Sequence, residues 1–135
     1  MLESEVYELE LDIKGDDRGS LIAIESCKNI PFDIKRVYYI FNTQHGVARG
    51  FHAHKTLKQL LVCITGSVDI KCERKDIIEV YSLNSPSKAL YINGMVWHEM
   101  FNFSKGAVLL VLASDFYLES DYIRSYSDFK RLIIR

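Results

Sequence analysis

The amino-acid sequence predicts an all-β domain, a sandwich or barrel of many short strands followed by one short C-terminal helix. Three observations predict it. Ile and Val together number 23 against six Ala, with eight Tyr and seven Phe, and β-branched and aromatic residues suit a pleated, half-buried surface. Short alternating or apolar runs recur along the whole chain, separated by clusters of turn-forming residues, which is the pattern of a sandwich or barrel. The chain shows no internal repeat, low-complexity tract or linker, so a single domain over residues 1–135 is expected.

Each element follows from its own pattern. Tyr7, Leu9, Leu11 and Ile13 alternate with polar residues and predict an amino-terminal strand over 6–13, free to pair with its own sheet or to exchange between subunits. The turn Lys14-Gly15-Asp16-Asp17 leads to strands over Leu21–Ile24 and Arg36–Phe41, and the polar Asn42–Gly46 stretch to one over Phe51–His54. Leu60–Ile64 and Val68–Cys72 flank the tight turn Thr65-Gly66-Ser67. Ile77–Tyr81, the turn Asn84-Ser85-Pro86-Ser87, Ala89–Ile92, the turn Asn93-Gly94 and Ala107–Ala113 complete the series. In the tail, Tyr122, Tyr126, Phe129 and Ile133 fall at offsets of four, three and four. That is one face of a helix, with Ser120 or Asp121 as its N-cap.

Composition excludes several functional classes. Seventeen basic and 18 acidic side chains leave a net charge of −1, unlike the concentrated basic face of a nucleic-acid binder. The longest wholly apolar run, Ala107–Ala113, is seven residues, far short of a membrane span. The start, Met1-Leu2-Glu3-Ser4-Glu5, has no basic region followed by an apolar stretch, so a cytoplasmic location is expected. An apolar fraction of 48% with only two Pro and seven Gly is that of a folded chain. Cys27, Cys63 and Cys72 are odd in number and form no C-x-x-C pair, so they read as reduced thiols, Cys63 a small core residue.

The most informative stretch is Gly46-Val47-Ala48-Arg49-Gly50-Phe51-His52-Ala53-His54. Residues two apart on a strand share a face, so His52 and His54 point one way while Phe51 and Ala53 point the other. Two adjacent imidazoles suit metal ligation or proton transfer near neutral pH. Arg36 and Tyr38 share a strand face by the same rule. His45, in a polar turn, reads as a surface residue.

Gly46, His52, His54, Gln59 and Gly66, with five, one, four and six residues between them, resemble the first conserved motif of the cupin family. Gly94-Met95-Val96-Trp97-His98, with Asn102 beyond, is similar to the second motif, its Gly-to-His gap one residue longer. Ile92 stands where the family has proline. The resemblance implies a double-sheet β-barrel (jelly roll) with both motifs lining one cavity. Metal-binding cupins use three His and a Glu; here Gln59 replaces the carboxylate, a poor ligand for Fe, Mn, Ni or Zn. No metal and no cofactor is therefore expected, and His52 and His54 are left as proton carriers.

Further segments resemble the WxcM-like nucleotide-sugar 3,4-ketoisomerases: Asp17-Arg18-Gly19-Ser20-Leu21, Ile34 to Ile40, Arg49 to Lys55, Val96 to Met100, Ala113-Ser114-Asp115 and Tyr122-Ile123-Arg124. The resemblance implies a metal-free homodimer acting on dTDP-4-keto-6-deoxy-D-glucose. It implies His52 as leading acid/base, His54 as its partner and His98 as a sugar contact. Tyr38 also enters the cavity, and Arg18, Arg36 and Arg49 supply positive charge, a guanidinium fork matching a diphosphate. Same-face proton return to C4 gives the galactose configuration, the outcome that Arg18 and His98 resemble. The rival readings are a 3,5-epimerase of the same sugar, a non-catalytic sugar-nucleotide-binding cupin, and a metal-dependent enzyme.

Overall fold

The computed structural model describes residues 4–134; Met1 to Glu3, on which part of the leader reading falls, lie outside the described residues. The strands in chain order are β1 (Ser4–Glu10), β2 (Lys14–Asp16), β3 (Gly19–Leu21), β4 (Arg36–Ile40), β5 (Arg49–His54) and β6 (Lys58–Thr65). They continue as β7 (Val68–Arg74), β8 (Ile77–Leu83), β9 (Lys88–Gly94), β10 (Trp97–Phe101), β11 (Val108–Ala113) and β12 (Tyr122–Ile123). A helix, α1 (Tyr126–Ile133), follows. Two five-stranded antiparallel sheets, ordered β1-β9-β6-β11-β4 and β12-β5-β10-β7-β8, make the double-sheet barrel, and β2-β3 form a separate hairpin.

The two sheets enclose the main core. Leu61 and Cys63 of β6 face inward with Ile70, Leu83, Leu90, Leu109 and Val111. Their neighbours Leu60 and Val62 point the other way, where Ile30, Phe32 and the half-buried Ile22, Ile24 and Ile34 cover the outer face of the first sheet. This two-sided burial explains why β6 reads as a continuous apolar run rather than an alternating one. On the outer face of the second sheet, Phe129 of α1 packs fully buried against Ala53, Trp97 and Ile123. The helix is further anchored where the Tyr126 hydroxyl (2.9 Å) and Lys130 Nζ (3.0 Å) donate to the buried carboxylate of Glu73.

Most predicted strands are present, and the differences have physical causes. In this chain β1 pairs with β9 of its own sheet. The Lys14–Asp17 turn is instead strand β2, and the chain reverses at Asp17-Arg18. Ile22 and Ile24 leave the strand to bury themselves over the first sheet. Strand β10 is an additional element, carrying His98 opposite β5 and β7. The helix begins four residues later than its apolar spacing suggests: Ser125 is the N-cap, its Oγ accepting from Asp128 N. Tyr122 and Ile123 pair instead with His54 and Ala53 of β5, and sheet pairing there overrides helical periodicity. Cys63 and Cys72 are buried free thiols and Cys27 an exposed one.

Candidate active site

Two neighbouring strands bring the histidines together. His52 and His98 face each other across β5 and β10, with ring centroids 4.6 Å apart. His54 lies 5.1 Å from His52 and 6.0 Å from His98. One ring nitrogen from each of the three falls within 4.8 Å of the other two. The longer Gly-to-His spacing of the second motif therefore still delivers His98 to the cluster. Tyr122 of β12 completes the wall, 4.4 Å from His54 and 5.1 Å from His52.

Hydrogen bonds fix the tautomers. His52 Nδ1 lies 3.1 Å from the Gly50 carbonyl, His54 Nδ1 3.1 Å from Asp121 Oδ2 and His98 Nδ1 3.3 Å from the Val96 carbonyl. All three partners only accept, so each Nδ1 carries the proton and each Nε2 keeps its lone pair. Asp121 is itself held by Thr56, whose N–H and hydroxyl donate to Oδ1 at 3.0 and 3.1 Å.

The cluster is neutral at physiological pH. Burial pushes the His54 imidazole down to about 3, assisted by His52 and the Arg36 and Arg124 guanidiniums. Burial likewise lowers half-buried His52 and takes fully buried His98 well below its ordinary value. Tyr38, pushed up to about 12 chiefly by burial, accepts a hydrogen bond from Gln59 Nε2 at 3.2 Å, so its own hydroxyl proton is directed elsewhere.

A backbone irregularity sets which residues share the pocket. The β5–β10 register slips so that Glu99 opposes Gly50 and Met100 opposes Arg49, leaving Phe51 as a bulge with φ 59°. Gly50 has φ +94°, and a Cβ there would meet the His98 carbonyl oxygen at 2.9 Å. Strict alternation would place Arg49 on the Phe51 face, away from the histidines. The bulge shifts the count by one, so Arg49 and His52 line one open pocket of about 470 Å³ with Arg36, Tyr38, Tyr117 and Arg124.

The pocket walls are cationic and aromatic. The Arg36 guanidinium lies 5.3 Å from the Tyr38 ring centre and 5.6 Å from that of Tyr117. Arg124 sits 4.3 Å over Tyr122 and is held by Glu119 through a two-pronged pair at 2.8 and 2.9 Å, while the Tyr117 hydroxyl donates to the same carboxylate. Arg18 stands apart: on the exposed β2–β3 turn it pairs with Asp16 and lines neither the open pocket of His52 nor the smaller cavity beside His54. His45 is exposed, its Nδ1 3.2 Å from the Phe103 carbonyl. Sequence reasoning missed Asp121, Tyr117, Tyr122 and Arg124 as site residues. The one available signal was Tyr122-Ile123-Arg124, which carried the resemblance without a role.

The donor set does not fit a three-histidine, one-carboxylate metal centre. Gln59 stands in the carboxylate's place with a neutral amide, which brings no charge to an ion.

Comparison with known proteins agrees with this geometry. The WxcM-like, C-terminal family model matches residues 4–133. The chain is 55% identical over 120 residues to the TDP-4-oxo-6-deoxy-alpha-D-glucose-3,4-oxoisomerase of Aneurinibacillus thermoaerophilus, covering 89% of this chain and 86% of that one. The sugar 3,4-ketoisomerase QdtA of Thermoanaerobacterium thermosaccharolyticum, solved with TDP, superposes with a TM-score of 0.94 at 46% identity, over 96% of this chain and 94% of that one. The WlaRB TDP-quinovose 3,4-ketoisomerase of Campylobacter jejuni superposes at 0.90 with 52% identity, over 93% and 97%. With three neutral histidines gathered beside a cationic pocket in the same barrel, the chain belongs to the WxcM-like family of sugar 3,4-ketoisomerases and is an isomerase.

Proposed function

We propose that the protein converts dTDP-4-keto-6-deoxy-D-glucose to dTDP-3-keto-6-deoxy-D-galactose by metal-free acid/base catalysis through an enediolate. The observation that carries this reading is the cluster of three neutral histidines whose Nδ1 atoms are all engaged, leaving every Nε2 able to accept a proton. His52, which lines the open pocket, removes the C3 proton acidified by the neighbouring carbonyl and returns it to C4. His54, backed by Asp121, moves the hydroxyl proton between O3 and O4. His98, opposite His52, contacts the sugar. Arg49 and Arg124 bind the diphosphate, and Tyr38 offers a hydroxyl proton to the sugar. Return of the C3 proton by the residue that took it stays on one ring face, which leaves the C4 hydroxyl in the galactose configuration.

The test is an assay of the purified protein with the 4-keto sugar nucleotide, the product read by NMR, beside His52→Asn. Turnover to the 3-keto galactose-configured sugar, lost in the variant, is the expected outcome. Tight binding without turnover would establish a non-catalytic binder, and deuterium entering C5 from D2O would establish an epimerase. A glucose-configured product is the second reading, favoured by the 52% identity to the quinovose-named enzyme.

We also propose a homodimer. The groove lined by Ile13, Leu21, Ile22, Val62, Ile64 and Leu110 is an apolar surface for a second copy. Such a dimer would bring the exposed hairpin carrying Arg18 against a partner. Light scattering at the mass of two chains is expected; one chain mass at all concentrations would refute it.

A further inference from the structure

A second, nearly closed cavity of about 60 Å³ adjoins the pocket, and Arg36 and Tyr122 line both. Its other walls include His54, Thr56, Asp121 and Ser114. Two buried nitrogens of its lining residues have no hydrogen-bond partner, Arg36 Nε and His54 Nε2. Their chemistries are opposite. Arg36 Nε can only donate, whereas His54 Nε2 can only accept because Nδ1–H is committed to Asp121. Two neighbouring oxygens, one accepting from the first and one donating its proton to the second, would satisfy both. A cavity of about 60 Å³ holds a hydroxyl or carbonyl oxygen but not a pyranose ring, which is left to the 470 Å³ pocket beside it.

We propose that this cavity is the site of the sugar's O3/O4 edge, with Arg36 Nε–H as the donor that stabilises the enediolate oxygen and His54 as the base for the hydroxyl. Arg36 is then a catalytic residue and not a diphosphate ligand. The inference rests on the isomerase mechanism proposed above.

The bonds balance. The C3–H proton passes to His52 Nε2, its electron pair becomes the C3=C4 bond, and the C4=O π pair moves to O4 against Arg36. The O3–H proton then passes to His54 Nε2, and the O–H pair forms the C3=O bond. The C3=C4 pair takes the proton back from His52 at C4, and O4 takes the proton from His54. Both histidines end neutral, and no oxidant or reductant enters. The nearby Arg36 charge is one cause of the low basicity of His54, which keeps its lone pair free at neutral pH. The guanidinium is held in place by the rings of Tyr38 and Tyr117.

Arg36→Met and Arg36→Lys test the assignment. Loss of one preorganised oxyanion donor lowers kcat by about 10²- to 10³-fold, while the Kd for dTDP alone, measured by calorimetry, changes less than about twofold. The lysine variant keeps a charge for a phosphate but lacks the Nε–H at that point, so it loses kcat as well. A tenfold or larger rise in the dTDP Kd of the folded lysine variant would make Arg36 a diphosphate ligand and overturn the proposal. So would near-normal kcat in either variant. His54→Asn separates the two levels: if it turns over normally, the histidine mechanism itself falls, whereas loss there with active Arg36 variants refutes only the oxyanion site.

Discussion

Acidification from pH 7 to pH 5 should destabilise the fold through the histidine cluster. An unfolded histidine titrates at about 6.5, whereas burial holds folded His54 at about 3 and His98 well below its ordinary value. A histidine with a depressed folded pKa leaves stability intact above the unfolded value, where both states are neutral. That stability is lost as pH falls from 6.5 toward the folded pKa, because only the unfolded chain takes up the proton. Between pH 7 and pH 5 the loss through His54 is about 2 kcal/mol, and His98 adds a loss of the same sign. A loss of about 2 kcal/mol is already a large share of the stability of a small domain. Urea unfolding at the two pH values measures it, with His54→Asn as control, which should remove about 2 kcal/mol of the pH sensitivity. A loss below about 1 kcal/mol, or the same loss in the control, would refute the neutral-cluster argument.

Three further outcomes are expected. Asp121→Asn removes the carboxylate that fixes the His54 tautomer, and kcat should fall on the order of 10- to 100-fold with dTDP affinity retained; steady-state kinetics beside calorimetry checks it. Gly50→Ala places a Cβ 2.9 Å from the His98 carbonyl at φ +94°. The strain is about 1–3 kcal/mol, and the displaced β5–β10 register should cut activity more than thermal stability, as parallel melting and turnover measurements would show. Lys130→Met leaves the buried Glu73 carboxylate with Tyr126 alone, costing about 1–3 kcal/mol in urea unfolding.

Much of the fold was legible because burial in a barrel writes itself into periodicity. Leu60–Cys63 and Ala107–Ala113 are apolar where strands are covered, Val68–Cys72 alternates where one face is buried, and each is where a strand or its flank lies. The adjacent His52 and His54 were legible for the same reason, since a two-residue spacing puts both on one strand face. Tyr122 and Asp121 were not. Their spacing to Tyr126 and Phe129 reads as helix, and only pairing with β5 makes Tyr122 a pocket wall and Asp121 the partner of His54. Arg18 shows the converse limit, because a residue in a resembling segment lies outside the pocket of its own chain.

The sequence by itself determined the all-β class, the histidine strand and the family, because composition, alternation and motif spacing are properties of the chain order. The tertiary structure decided which charges serve those histidines. A single bulge at Phe51 reverses the strand's alternation and turns Arg49 inward, and strands distant in sequence bring His98, Asp121 and Arg36 around His52 and His54. Side-chain direction depends on register, and register is set by long-range backbone pairing that local spacing does not encode.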